Sequence, residues 1–106
     1  MFVKICGMNS ADAVEAAVTA GADAIGFVFA ESPRQVTPEQ AKALSANVPP
    51  HVLRVAVMRH PHKEQWERVF EIFEPNWLQT DAEDFKWIKL PKATIALPVY
   101  RDSNAP

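Results

Sequence analysis

The sequence predicts an α/β fold of parallel βα repeats, and three observations predict it. Short β-branched and aromatic runs alternate with segments of helical period along the 106 residues. The connections between them are short, which suits crossover helices between parallel strands. One run, residues 22–29, is apolar on both faces, as strands are when helices cover a parallel sheet.

Residues 2–6 (FVKIC) form the first expected strand, with Phe2, Lys4 and Cys6 on one face and Val3 and Ile5 on the other. A helix follows over 9–21. Asn9 or Ser10 caps it, Asp12 suits its positive end and Gly21 stops it in a left-handed conformation. The second strand (22–29) splits into a small set, Ala24, Gly26 and Val28, and a bulky set, Ile25, Phe27 and Phe29. Thr37, Pro38 and Gln40 spell a capping box with proline at the first helical position, so a helix is expected over 37–48, stopped by Pro49 and Pro50. Residues 52–58 read as the third strand. In 62–74, Trp66, Val69, Phe70 and Phe73 make one apolar stripe facing a core, and Pro75 closes the helix. A short strand (76–80), a short helix (81–90) and a fifth strand (94–100) complete the pattern. The whole of 1–106 reads as one domain.

Composition narrows the function. Apolar residues make up 48% and charged residues 23%, the balance of a soluble globular chain. The net charge is −2 and no run of like charges appears, which argues against a nucleic-acid or membrane-surface partner. No apolar stretch reaches the roughly 18 residues that span a bilayer. One Cys makes no internal disulfide and no signal-peptide order opens the chain, so the cytoplasm is the expected location.

An open sheet and a closed barrel both fit the alternation, and strand faces favour the barrel. The small face of the second strand suits a crowded barrel interior, and its bulky face suits surrounding helices. Lys4 and Cys6 on one strand face are out of place under helices, but fit an inner face with Cys6 at the C-terminal mouth, where barrel sites lie. Five strands are then the N-terminal part of an eight-stranded ring, with strands six to eight absent.

The segments KICGM, GADAIGFVFAESPRQVTPEQA, VLRVAVM and LQTDAED resemble the successive N-terminal segments of phosphoribosylanthranilate isomerases, TIM (β/α)8 barrels of tryptophan biosynthesis. The likeness is strongest at 3–8 and 21–41 and fades after residue 90. It implies an Amadori rearrangement of N-(5-phosphoribosyl)anthranilate to the 1-amino-2-ketose, with no metal or organic cofactor. In that family the Cys of KICG is the general base at C2, a role that falls on Cys6. The Arg of SPR, Arg34, is expected at the anthranilate end, and Gln79 in the pocket wall.

Read as bare residues, these positions also have plain accounts. A lone Cys is ordinarily a buried hydrophobe. Cys6, however, ends a strand, precedes a glycine and shares a face with Lys4, whose ammonium would favour the thiolate. Lys4 is otherwise a strand-end charge reaching solvent, Arg34 a solvated loop cation, and Gln79 a hydrogen-bonded interior amide. His60-Pro61-His62 lacks matching ligand spacing and reads as a helix-entry loop, not a metal site. Where the family commonly reads Q-L-H-G, this chain reads Gln79-Thr80-Asp81-Ala82, so Asp81 stands at the imidazole position; it is expected to cap the next helix or to touch substrate.

The family's acid, an Asp on the sixth strand, and its Gly-rich phosphate loops have no counterpart here; Asp81 and Asp102 are the carboxylates expected near the mouth. The chain alone is therefore expected to turn over little or no substrate, and to associate with a C-terminal half-barrel or with itself through open edges and an apolar inner face. A non-catalytic half-barrel and another phosphosugar isomerase or aldolase on the same barrel are the alternatives.

Overall fold

Five strands lie side by side in chain order, every neighbouring pair parallel: β1 (Lys4–Ile5), β2 (Ala24–Val28), β3 (Leu53–Val57), β4 (Trp77–Asp81) and β5 (Ile95–Val99). This is a computed structural model that describes residues 1–100; Asp102 and the rest of 101–106 lie outside the described residues. The helices α1 (Ala11–Thr19), α2 (Pro38–Leu44) and α3 (Lys63–Ile72) connect the first four strands, and a 3₁₀ turn (Ala82–Lys86) precedes β5. Among the described residues no helix is long and apolar enough to cross a membrane.

Register sorts the sheet into two faces. Ile25, Phe27, Ala56 and Leu78 point one way and are fully buried in a cluster with Val14, Ala17, Trp66, Val69 and Phe73 from the helices. The rings of Phe27 and Phe73 meet edge to face, with centroids 5.2 Å apart. The opposite face carries Lys4, Ala24, Gly26, Val55, Val57, Trp77, Gln79, Ile95 and Leu97.

That second face is concave. The Lys4 ammonium donates to Gln79 Oε1 from β1 to β4. Two strands lie between them, so a flat sheet would hold the backbones about 14 Å apart. The side chains meet because the sheet curls toward them, as barrel closure requires.

Element boundaries differ from expectation in instructive places. α1 starts from Ser10, whose Oγ accepts from the Ala13 N–H at 3.1 Å, and Gly21 takes φ +86°. The capping box of α2 is complete: Thr37 Oγ1 accepts from Gln40 N–H, and Gln40 Oε1 accepts from Thr37 N–H. However, α2 ends at Leu44, not at Val48. The Ser45 hydroxyl bonds back to Ala41 O at 2.8 Å and competes with continuation. The turn that closes α3 falls on Glu74, at φ +52°, one residue before Pro75. Residues 81–90 make only a 3₁₀ turn over 82–86, because Asp84 is drawn inward to other partners.

Candidate functional site

Cys6 follows directly on β1, and its thiol lies on the concave face over Gly26. A Cβ built at Gly26 would stand 3.0 Å from Cys6 Sγ, so the absent side chain is what makes room for the sulfur. The chain then turns at Gly7, φ +85°, and both Gly7 and Met8 N–H groups donate to Gly26 O at 3.0 Å. This holds the thiol at the C-terminal end of the strands.

Arg34 reaches the same rim from the β2–α2 loop. Its side chain lies across Gly7, where a Cβ would be 2.8 Å from Arg34 Cδ and 2.9 Å from Nη1. The loop beneath it is pinned: Arg34 N–H donates to Ser32 Oγ, Gln35 N–H to Ser32 O and Val36 N–H to Val28 O. Two amides, Gln35 Nε2 and Gln65 Nε2, converge on Phe29 O at 3.3 and 2.9 Å. Sequence positions 6 and 34 are thus neighbours through one glycine.

Lys4 and Gln79 satisfy each other one layer deeper on the concave face. Two residues further along the chain in each case, about 6.6 Å of rise, come Cys6 just past β1 and Asp81 at the end of β4. Asp81 was expected as a helix cap, and that reading is corrected: its side chain makes no capping bond to the 3₁₀ turn. It is buried and meets the His60 ring, with Nε2 to Oδ2 at 3.1 Å.

His60 is the residue that sequence reasoning passed over. It lies in the β3–α3 loop, as expected, at φ +44°. Asp84, fully buried, accepts from His60 Nδ1 at 2.8 Å, from the His60 backbone N–H at 3.0 Å and from Thr80 Oγ1 at 2.7 Å. The hydrogen bond to Asp84 raises the His60 pKa above the ordinary histidine value against the opposing effect of desolvation, and the charges of Asp84, Asp81 and Glu83 add to the rise. Burial pushes the Asp84 carboxyl up, but bonds from Thr80 and His60 outweigh it and leave the pKa lowered. His60, Glu83 and Asp84 bring potential ligand atoms within 4.8 Å of one another, and three donors already engage the Asp84 carboxylate. The signal available in the sequence was a histidine after strand 3 and two acids three apart after strand 4. Acids there read as caps until the fold folds one of them inward.

A curved parallel sheet with a thiol, a guanidinium and a His–Asp cluster on its C-terminal rim is laid out like the mouth of an α/β barrel, where such folds keep their sites. Residues 3–97 match the family model of N-(5'-phosphoribosyl)anthranilate (PRA) isomerase, and the chain belongs to that family. It is 52% identical to the N-(5'-phosphoribosyl)anthranilate isomerase of Listeria innocua over 65 residues, 61% of this chain and 32% of the relative. With the Streptococcus gordonii enzyme it shares 50% over 81 residues, 76% of this chain and 42% of the relative. The phosphoribosyl anthranilate isomerase structure from Thermus thermophilus superposes with a TM-score of 0.71 at 36% identity, covering 76% of this chain and 41% of that one. A second such structure, in complex with reduced 1-(o-carboxyphenylamino)-1-deoxyribulose 5-phosphate, gives the same TM-score and identity. The chain spans between about a third and two-fifths of the length of these curated relatives.

Proposed function

We propose that this chain supplies the base side of an N-(5'-phosphoribosyl)anthranilate isomerase active site in tryptophan biosynthesis. Cys6 is the general base that takes the C2 proton in the Amadori rearrangement of the aminoaldose to the 1-amino-2-ketose. Arg34 holds the anthranilate carboxylate, for which a guanidinium offers paired donors. Lys4 and Gln79 form the pocket floor, and Asp81 belongs to the rim on the β4 side. The observation that carries the reading is the seating of the Cys6 thiol over Gly26 with Arg34 laid across the adjoining Gly7. A relative's structure with a carboxyphenylamino-deoxyribulose phosphate supports the ligand class.

The chain aligns with 41% of the Thermus structure, so the proton donor at the ring oxygen and the phosphate grip are expected from strands beyond the aligned part. The partner is a C-terminal (β/α) segment that completes the ring or a second copy of this chain, and the setting is the cytoplasm. An isomerase from Thermotoga maritima has been solved as monomers derived from a dimer, so association is a property of at least one relative.

The test mixes the purified chain with the C-terminal half of the Thermus enzyme and follows anthranilate fluorescence. Turnover should appear on mixing and fall about 10²–10⁴-fold with Cys6→Ser, the usual worth of a positioned base. Turnover that survives Cys6→Ser defeats the reading.

A further inference from the structure

The first turns of α2 and α3 use the same residue type in different ways. In α2 the glutamine three residues past the cap, Gln40, folds back on Thr37 N–H and closes a local box. Gln65 stands at the same position of α3, three residues past His62, where the cap makes no side-chain bond. Its amide is turned to a neighbouring loop instead, and Nε2 donates to Phe29 O at 2.9 Å. Phe29 is where β2 gives way to the loop that carries Arg34. Its N–H pairs with Val57 O at 2.9 Å, its ring is buried against Phe73 of α3, and Val36 N–H closes the loop on Val28 O. Gln35 Nε2 reaches the same carbonyl from within the loop, so Gln65 is the donor that ties this carbonyl to a separate element. A cleft of about 150 Å³, lined by Phe29, Val36, Gln65 and Val69 among others, opens between the loop and α3. Packing alone therefore leaves the loop room to shift there, and a directional bond removes that freedom.

We propose that Gln65 is a positioning residue for Arg34: by donating to Phe29 O it fixes the base of the β2–α2 loop against α3, and with it the placement of the guanidinium over Gly7 where a ligand carboxylate is held. The proposal rests on the carboxylate-binding reading of Arg34 given above. Arg34 is exposed, and its side chain is steered by the surface of Gly7 on one side and by its own backbone on the other. A paired-donor contact with a carboxylate depends on the direction of the guanidinium plane as well as on its charge. A loop free to move at its base would keep the charge and lose the direction. Gln65 touches neither the ligand nor Arg34, so its effect has to pass through the Phe29 carbonyl and the loop.

The experiment uses the 106-residue chain with the reduced carboxyphenylamino-deoxyribulose phosphate as probe, and combines calorimetry with native-state amide hydrogen exchange. Gln65→Met keeps the length and helix preference of the side chain but has no donor. It should weaken probe binding about fivefold, the worth of one neutral hydrogen bond. In an Arg34→Ala background the same substitution should change affinity by less than about twofold, because the group it positions is gone. Equal losses in the two backgrounds would mean that Gln65 acts by another route and would overturn the proposal. In exchange, Gln65→Met should speed the amides of Arg34, Gln35 and Val36 about fivefold and leave Ile25 and Val55 at the centre of the sheet unchanged. Uniform acceleration, or none in the loop, would also overturn it. If wild type does not bind the probe, or Arg34→Ala binds it equally well, the ligand reading of Arg34 fails. Exchange then decides the rest: acceleration confined to the loop supports the tether, and its absence overturns it.

Discussion

The two faces of the sheet are made from the same five strands but do different work. On the helix side, Ile25, Phe27, Ala56 and Leu78 are wholly excluded from water and knit to three helices. On the concave side, Ala24 and Val55 are sealed at the centre, while Phe2 and Ile95 remain more than half exposed and Lys4, Cys6 and Gln79 are only partly covered. The difference teaches where stability and chemistry are kept. Apolar area is removed from water almost entirely on one side, and reactive or charged groups stand on the other, where a ligand or a further layer of chain can reach them.

The sharpest way to break that contrast is a pair of truncations. Phe27→Ala removes a fully buried ring set edge to face against Phe73 and should cost about 3–5 kcal/mol in urea unfolding. Ile95→Ala, on the concave face at 60% exposure, should cost under about 1 kcal/mol. Comparable losses would show that the concave face is covered in solution, and the Ile95 loss would then shrink on dilution as association is reversed.

Much of this division was readable in the sequence. Alternation in residues 22–29 separated Ala24, Gly26 and Val28 from Ile25, Phe27 and Phe29, and the two sets do occupy opposite faces. The Thr37–Gln40 box and the Gly21 stop were legible because each depends on residues within one turn of chain. The Asp84 cluster was not, because its donors come from Thr80 and from His60, 24 residues away, and a local pattern has no term for a carboxylate drawn inward. The same holds for Arg34 lying on Gly7. The glycine was noted for its turn, but its role as the surface a distant side chain rests on needs the third dimension.

A second test sits at the boundary between the faces. Gly26 belongs to the concave side, yet its missing side chain is filled by Cys6 Sγ. Gly26→Ala places a methyl 3.0 Å from that sulfur and must push the thiol off its seat, at an overpacking cost of about 1–3 kcal/mol. Alkylation of Cys6 should change rate, since the thiol moves relative to its surroundings. Cys6→Ala in the Gly26→Ala background should recover most of the stability. An unchanged alkylation rate in Gly26→Ala would show that the sulfur does not occupy the space above the glycine.

The smallest effect probes the cover on the sealed side. α2 begins at a reciprocal pair of bonds between Thr37 and Gln40, directly after the loop that carries Arg34. Thr37→Ala removes the hydroxyl that accepts the Gln40 N–H and leaves that donor to water, so the expected loss is about 1 kcal/mol in urea unfolding. The helix buries Ala41 completely against the sheet, which ties the cap to the helix-side layer and not to the concave one. Alkylation of Cys6 should therefore be unaffected by Thr37→Ala even though the protein is less stable. If the thiol instead became markedly more reactive, the loop between β2 and α2 would be transmitting strain from the helix layer to the rim. The separation of the two faces would then fail at the one segment that connects them.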